Sequence, residues 1–136
     1  MEKSLLKKAI AQQFSKQENV IAVLLYGSQA KESVKPDSDV DIAVLYRFNH
    51  VPDSMTLWEL KESLQDKLGK DVDLVCLNTA DTIIASQIYK YNQPILVNDQ
   101  QKLICYFMYL LSDYAELKEL RQPMEKHILE RRYYGS

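Results

Sequence analysis

The sequence predicts one domain of the α/β or α+β class, built in two layers from helices packed on strands. Short apolar runs, which are typical of buried strands, alternate along the chain with segments whose apolar residues recur every three or four positions. A chain of 136 residues with 46% apolar and 26% charged residues suits a globular domain with one modest core. We therefore expect a single domain over residues 1–136, with a core over about 1–98 and C-terminal helices over about 99–134.

The chain is predicted to begin with a helix over residues 3–17. The continuous apolar run Val20–Leu25 follows and opens with two β-branched residues, so it predicts a buried strand. The predicted apolar face of the helix consists of Leu5, Leu6, Ala9, Ile10 and Phe14.

A turn that suits an anion follows this strand. Gly27 lets the backbone turn sharply and approach a ligand without a side chain in the way. Ser28 adds a hydroxyl and a backbone N–H at the start of a short helix predicted over residues 29–32. Free N–H groups at such a turn favour an anion, most often phosphate.

Two aspartates lie in the second predicted strand, Asp39–Tyr46, which follows a polar turn at residues 35–38. Because strand side chains alternate between faces, Asp39 and Asp41 project from the same face. Two neighbouring carboxylates repel each other, and each is costly to desolvate in apolar surroundings. A divalent cation relieves both costs, and hard oxygen ligands of this kind suit Mg²⁺.

A third strand, predicted over Asp71–Leu77, supplies a further carboxylate. Asp71 and Asp73 share a face, but Asp73 lies deeper in the apolar run, where an unpaired carboxylate would cost most. We therefore choose Asp73 and interpret Asp71 as a residue of the strand edge. If this strand neighbours the second, three carboxylates can hold two metal ions, which clamp the attacking and leaving oxygens of a displacement at phosphorus.

A second helix is predicted over about residues 54–68, capped by Asp53 or Ser54 and stopped by Gly69. Its inward-facing residues are predicted to be Leu57, Leu60, Leu64 and Leu68.

A third helix is predicted from a cap at Thr79 to about Tyr89, with Ile84 and Ile88 buried.

The last predicted elements are an edge strand and a long helix. Pro94 starts the strand, which covers residues 95–97, and Asn98 or Asp99 caps the helix. Pro123 should break or kink this helix. Its apolar stripe is wide for a lone surface helix, so it either contacts a partner or covers the sheet. The stripe consists of Leu103, Ile104, Phe107, Leu110, Leu111, Tyr114 and Leu117.

Composition narrows the possible partners and location. A net charge of −2 argues against direct nucleic-acid binding, which needs a basic surface, but it permits binding of a nucleotide with its metal. Cys76 and Cys105 fall in apolar segments and are expected to be reduced core residues. The first residues are too charged for a signal peptide, and no apolar run is long enough to span a bilayer. We expect a cytoplasmic protein that does not contact membranes.

The ordered set of site residues is similar to a known pattern. Gly27 and Ser28 are followed, after ten residues, by Asp39 and Asp41, and Asp73 lies on a later strand. This resembles the G-S-x(10)-D-x-D pattern of minimal nucleotidyltransferases in the DNA polymerase β superfamily. The small size and the C-terminal helices resemble the MntA-type antitoxins, which are the MNT partners of HEPN-domain toxins.

The resemblance covers roughly residues 20–77. It implies a small mixed sheet backed by helices, a C-terminal helical segment and a site on the open face. It also implies an enzyme that transfers AMP from ATP to a tyrosine of a HEPN RNase toxin, within a hetero-oligomer. The implied catalytic and metal-binding residues are Asp39, Asp41 and Asp73. Together they would hold two Mg²⁺ ions. The implied nucleotide-binding residues are Gly27, Ser28 and Ser38.

Two alternatives remain open at this point. The same chemistry could act on a small molecule such as an aminoglycoside, although the chain leaves little room for the added domain that such enzymes usually carry. The chain could also be an antitoxin that works by binding alone.

The chain departs from the family pattern just after Ser28. Where the commoner family form has two arginines and a second glycine, this chain has Gln29, Lys31 and Glu32.

Overall fold

The computed structural model describes residues 3–27 and 39–121. These residues form four helices and four strands. In chain order they are α1 (Lys3–Phe14), β1 (Val20–Tyr26), β2 (Val40–Tyr46), α2 (Ser54–Leu68), β3 (Val72–Cys76), α3 (Thr82–Lys90), β4 (Asn92–Val97) and α4 (Gln100–Arg121).

The four strands form one mixed sheet in the order β3-β2-β1-β4. Strand β1 runs antiparallel to both β2 and β4, whereas β2 and β3 are parallel. The predicted small mixed sheet is therefore confirmed, and β4 lies at an edge as predicted. This strand begins at Asn92, so Pro94 lies inside it and not at its start. An edge strand tolerates proline, and the register shifts at Val23/Leu24 beside it.

Helices cover both faces of the sheet, so the expectation of two layers was wrong and the domain has three. Helices α1 and α2 pack on the face that carries Val23, Leu25, Ile42 and Val44. Helices α3 and α4 pack on the opposite face, which carries Ala22, Leu24, Ala43 and Leu45. Strands β1 and β2 are apolar on both faces, and such strands require cover on both sides.

Helix α2 matches its prediction from end to end. The side chain of Asp53 caps it by accepting a hydrogen bond of 2.8 Å from the N–H of Thr56, and Gly69 ends it with φ 66°. Leu64 and Leu68 are buried. The other two predicted inward leucines, Leu57 and Leu60, are partly buried against the same core.

Helix α1 ends three residues earlier than predicted, at Phe14. The Ser15 hydroxyl donates a hydrogen bond to the Gln12 carbonyl at 3.0 Å, which satisfies an acceptor at the end of the helix. Leu6, Ile10 and Phe14 are buried, but Leu5 is 54% exposed. Leu5 therefore lies outside the apolar face on which we placed it.

Helix α3 is capped by Asp81 and not by Thr79, because the Asp81 side chain accepts the N–H of Ile84 at 2.9 Å. The helix therefore begins later than predicted, and its buried face shifts. Ile88 is buried as expected, but Ile84 is 46% exposed, and Ala85 and Ser86 are buried instead.

Helix α4 is capped by Asp99, whose carboxylate accepts the N–H of Lys102 at 3.1 Å. Asn98 has a different role, since its side-chain amide donates to the Val20 carbonyl at 2.8 Å and ties the helix start to β1. Of the predicted stripe, Leu103 and Leu110 are buried against the sheet, whereas Ile104 and Leu111 are exposed. The predicted break at Pro123 lies outside the described residues.

The two cysteines differ in their surroundings. Cys76 is buried in β3, as predicted, but Cys105 is exposed on α4, so its assignment to the core was wrong. Among the helices in residues 3–27 and 39–121, none combines the length and hydropathy that a membrane span requires.

Candidate active site

One row of facing residues crosses the whole sheet near one end. Asp73 on β3 pairs with Asp41 on β2, Asp41 pairs with Tyr26 on β1, and Tyr26 pairs with Asn92 on β4. Side chains alternate along each strand, so Asp41 shares the face of Ala43, the face that α3 and α4 cover. Asp41 and Asp73 therefore stand side by side, with their backbones one strand spacing of about 4.8 Å apart.

Asp39 lies just before β2 and is exposed. Its backbone is two positions from Asp41, and the negative charge of its side chain acts on Asp41. The strand start is held in place by a backbone hydrogen bond of 2.9 Å from Val40 to the carbonyl of Asp71. Asp71 therefore joins the strands through its backbone, while its side chain is exposed.

Gly27 follows the end of β1 and lies directly against the side chain of Asp41. Its φ of 70° is in the left-handed region that favours glycine. A β-carbon at this position would overlap Oδ2 of Asp41 and come within 3.0 Å of its Cγ. The predicted sharp turn at Gly27 thus has a second reason to be glycine, because the missing side chain leaves the space that the carboxylate occupies.

Burial and crowded negative charge in this row favour either protonated side chains or a bound cation. Burial, together with the charges of Asp73 and Asp39, raises the pKa of Asp41 from its ordinary 3.8 to about 6. Burial and the charges of Asp73 and Asp41 also raise the pKa of Tyr26. The hydroxyl of Tyr26 donates a hydrogen bond of 3.3 Å to Oδ2 of Asp73. Negative charge is thus crowded at this end of the sheet, where a bound cation would relieve the repulsion.

Sequence reasoning missed Tyr26. The available signal was its position immediately before Gly27, at the end of a strand whose side chains alternate with period two.

The donor set fits a magnesium ion that substrate also helps to bind. Asp41 and Asp73 are adjacent and offer hard carboxylate oxygens, and Asp39 offers a third from the exposed side. In the part of the chain that is described, no group of three His, Cys, Asp or Glu side chains is already arranged to hold a metal ion. Mg²⁺ commonly takes one or two carboxylates and completes its octahedron with substrate phosphates and water, which suits this pair.

Several predicted site residues lie outside the described residues. These are Ser28 and Ser38, together with the short helix predicted over residues 29–32. The structure thus brings together Gly27, Asp41 and Asp73, with Asp39 beside them, and the nucleotide-binding roles of the two serines stay predictions.

Comparison with known proteins identifies the family. The sequence pattern of the family described as "Polymerase beta, Nucleotidyltransferase" matches residues 8–101. The chain is 33% identical over 102 residues to the protein adenylyltransferase MntA of Shewanella oneidensis, which covers 75% of this chain and 71% of that protein. The chain belongs to the polymerase β nucleotidyltransferase family, as an MntA-type member. The resemblance noted in the sequence is therefore confirmed, and the chain is a nucleotidyltransferase.

Solved structures of this family share the fold. A chain of a toxin–antitoxin crystal structure with AMP-PNP superposes with a TM-score of 0.77 and 27% identity, covering 90% of this chain and 98% of that chain. A chain of the tri-AMPylated Shewanella oneidensis HEPN toxin in complex with MNT antitoxin superposes with a TM-score of 0.75 and 26% identity, covering 94% and 99%. The likeness therefore extends over nearly the full length of both chains.

Proposed function

We propose that this chain is an antitoxin that transfers AMP from ATP to a tyrosine hydroxyl of a cognate HEPN RNase toxin and so silences the toxin. The observation that carries the proposal is the register that sets Asp41 beside Asp73 and directly against Gly27. This arrangement occurs in a chain that is 33% identical to MntA over 102 residues. The residues form one nucleotidyltransferase domain that acts in the cytoplasm.

The nucleotide would bind across the end of β1. The triphosphate would lie over Gly27 and Ser28, because free N–H groups at a turn of this kind favour phosphate, and we expect Ser38 to bind the nucleotide as well. Asp39, Asp41 and Asp73 would hold two Mg²⁺ ions. When bound, Mg²⁺ supplies positive charge to the phosphate oxygens and lowers the pKa of an incoming hydroxyl.

Asp73 would accept the proton of the attacking tyrosine. Its Oδ2 already accepts a hydrogen bond from a phenol, that of Tyr26, at 3.3 Å. A carboxylate within hydrogen-bond reach of a phenol has the geometry that a general base requires. As the bond from the tyrosine oxygen to the α-phosphorus forms, the bond to the bridging oxygen breaks and pyrophosphate leaves. The product is an AMP ester of tyrosine.

The partner would be the HEPN toxin itself, held in a hetero-oligomer. Structures with this fold include a tri-AMPylated HEPN toxin in complex with MNT antitoxin. In this chain, α4 leaves large apolar side chains exposed on its outer side, among them Met108 at 65% and Tyr109 at 77%. Exposed apolar residues that lie together are typical of interaction surfaces, and we expect the toxin to contact this one.

The proposal is tested by intact mass spectrometry of the cognate toxin after incubation with this chain, ATP and Mg²⁺. We expect the toxin to gain mass in steps of one AMP. The gain should fall at least about a hundredfold in rate for Asp41→Asn and Asp73→Asn, since each removes a charge that the transition state needs. Asp66→Asn is the matched control, because Asp66 is an exposed aspartate of α2, on the other face of the sheet.

Wild-type rates in Asp41→Asn would contradict the mechanism. A parallel assay of toxin RNase activity distinguishes silencing by AMP transfer from inhibition by binding alone. If the Asp41→Asn and Asp73→Asn variants still neutralise the toxin without any mass gain, inhibition works by binding alone.

A further inference from the structure

The hydroxyl of Tyr26 is held at the carboxylate to which we give the role of general base. Tyr26 ends β1 and Asp73 lies on β3, so their backbones are two strand spacings, about 10 Å, apart. The side chain of Tyr26 reaches past Asp41, on the strand between them, and donates a hydrogen bond of 3.3 Å to Oδ2 of Asp73. A phenol of the chain itself therefore occupies the place that the proposed reaction gives to the acceptor tyrosine.

Two other tyrosines show what is particular to Tyr26. The hydroxyl of Tyr106 donates to the backbone carbonyl of Leu77 at 2.9 Å. The hydroxyl of Tyr46 is buried and has no hydrogen-bond partner among residues 3–27 and 39–121. Within these ranges neither hydroxyl is bonded to a carboxylate, so exposure to ATP and contact with a base coincide at Tyr26 and not at these two residues.

Tyr26 also borders a cavity of about 430 Å³ beside Gly27. The cavity is lined by Tyr26, Gly27, Gln87 and Tyr91. Gln87 belongs to α3 and Tyr91 directly precedes β4, so the cavity lies on the side of β1 away from Asp73. Because this space is a cavity and not packed core, the ring of Tyr26 has room for the small shift that attack on a phosphate requires.

We propose that this chain transfers AMP from ATP to its own Tyr26 when no toxin tyrosine occupies the site. The step rests on the proposed function, because it uses the same ATP, the same position of the α-phosphate beside Gly27 and the same base. The phenol proton of Tyr26 passes to Oδ2 of Asp73, and the phenol oxygen forms a bond to the α-phosphorus. The bond from this phosphorus to the bridging oxygen breaks, and pyrophosphate leaves. The product is an AMP ester of Tyr26.

Two consequences follow from an acceptor that belongs to the same chain. Once ATP is bound, the transfer is unimolecular, so its rate per chain does not depend on protein concentration. The AMP group on Tyr26 then lies against Asp41 and Asp73, in the space that the next ATP needs. A modified chain should therefore lose measurable ATP binding, which calorimetric titration detects without any turnover.

Intact mass spectrometry of the full chain, incubated with ATP and Mg²⁺ in the absence of toxin, tests the proposal. We expect each chain to gain one AMP, and peptide mapping to locate it on Tyr26. The fraction modified per minute should be unchanged on tenfold dilution of the protein, whereas transfer between chains would slow about tenfold. Addition of the cognate toxin should reduce self-modification, because its tyrosine competes with Tyr26 for Asp73.

Three variants separate position from exposure. Tyr26→Phe removes only the phenol oxygen and should abolish the mass gain, with urea denaturation as the check that the variant folds. Tyr109→Phe is the matched control, because Tyr109 on α4 is 77% exposed, and a reaction governed by exposure would select it. This variant should gain AMP as the wild type does. Asp73→Asn should slow the gain at least about a hundredfold through loss of the base.

Each failure has its own signature. A chain that modifies its toxin but never itself would overturn self-modification and leave the proposed function intact. A gain that persists in Tyr26→Phe, or that maps to another tyrosine, would overturn the assignment to Tyr26, as would unaltered ATP binding by the modified chain. Modification of Tyr26 without modification of any toxin would contradict the proposed function alone. Absence of both modifications would overturn both.

Discussion

Gly27 combines a left-handed backbone conformation with close packing against Asp41, a proposed catalytic residue. Its backbone has φ 70°, and the carboxylate of Asp41 occupies the space in which a β-carbon would lie. The second glycine with a similar backbone, Gly69 at φ 66°, has nothing within 4 Å of such a β-carbon. The pair therefore separates the cost of backbone strain from the cost of displacing Asp41.

We expect Gly69→Ala to lower the free energy of unfolding by about 1 kcal/mol through strain alone, with AMP transfer retained. Gly27→Ala should cost more than this and should also abolish transfer, because the new methyl group displaces Asp41. Urea denaturation and the toxin mass assay measure the two effects. Equal loss of transfer in both alanine variants would show that strain, and not the contact with Asp41, limits activity.

The raised pKa of Asp41 implies a pH-dependent stability cost in the metal-free protein. Below the ordinary value of 3.8, the carboxyl is protonated in both the folded and the unfolded chain, so it costs nothing. As the pH rises from 3.8 to about 6, the unfolded chain releases the proton first, and stability falls. Above about pH 6 the full cost remains.

Asp41→Asn should therefore raise the free energy of unfolding at pH 7.5, measured by urea denaturation with a chelator present. We expect a gain of about 1 kcal/mol. This value allows for the partial exposure of Asp41, because solvent screens its repulsion by Asp73 and Asp39. At pH 4 the gain should nearly vanish. A gain that is the same at both pH values would mean that asparagine stabilises the site by packing and not by removing charge.

Among the elements, α4 has two distinct sides. Its inner side packs Leu103 and Leu110 on the sheet, and its outer side leaves Ile104, Met108 and Tyr109 exposed. Its first turn is capped by Asp99, and Asn98 ties the start of the helix to the sheet by donating to the Val20 carbonyl. The cap and the bond to β1 therefore help to fix the position of the exposed outer side of α4.

Asp99→Ala should lower the free energy of unfolding by about 1 kcal/mol, the usual cost of a lost helix cap. Asp99→Asn should retain most of this stability, because asparagine can accept the same N–H. The ion pair of Asp99 with Arg47 at 3.5 Å is lost in both variants and, at the surface, contributes little. If Asn and Ala were equally destabilising in urea denaturation, the ion pair and not the cap would be the main contribution.

At the scale of the whole molecule, the carboxylate row and the exposed side of α4 belong to the same face of the sheet. A second cavity of about 370 Å³ lies on α4 and is lined by Cys105, Met108, Tyr109 and Ser112. Because Cys105 is exposed and Cys76 is buried, a maleimide should label this surface selectively. The exposed thiol therefore reports whether a partner covers α4.

We expect the toxin to slow maleimide labelling of Cys105 at least about tenfold. Met108→Glu should weaken the complex and restore labelling, since a charge cannot be desolvated cheaply in an apolar interface. Met55→Glu is the matched control, because Met55 is a 62% exposed methionine of α2 on the other face of the sheet. Full labelling of Cys105 in a stable complex would show that the toxin binds elsewhere. Liquid chromatography with mass detection measures the labelled fraction.

The sequence by itself determined the features that depend on near neighbours along the chain. The bounds of α2 followed from Asp53 and Gly69, whose capping effects act within four residues. The spacing from Gly27 to Asp39 and Asp41 indicated the family, because the whole pattern lies within one short stretch of the chain. Asp73 was preferred to Asp71 on the cost of burial, but both residues are exposed, and what distinguishes Asp73 is that it pairs with Asp41 across the sheet.

Only the tertiary structure decided what lies across the sheet. Pairing of Asp41 with Asp73 and with Tyr26 joins residues from three strands, and period two along one strand cannot reveal which residue of the next strand stands opposite. The same limit explains the errors at Ile84, Leu5 and Cys105, since an apolar residue is buried only where another element covers it. The cavity beside Gly27 likewise exists only because α3 and β4 meet the end of β1.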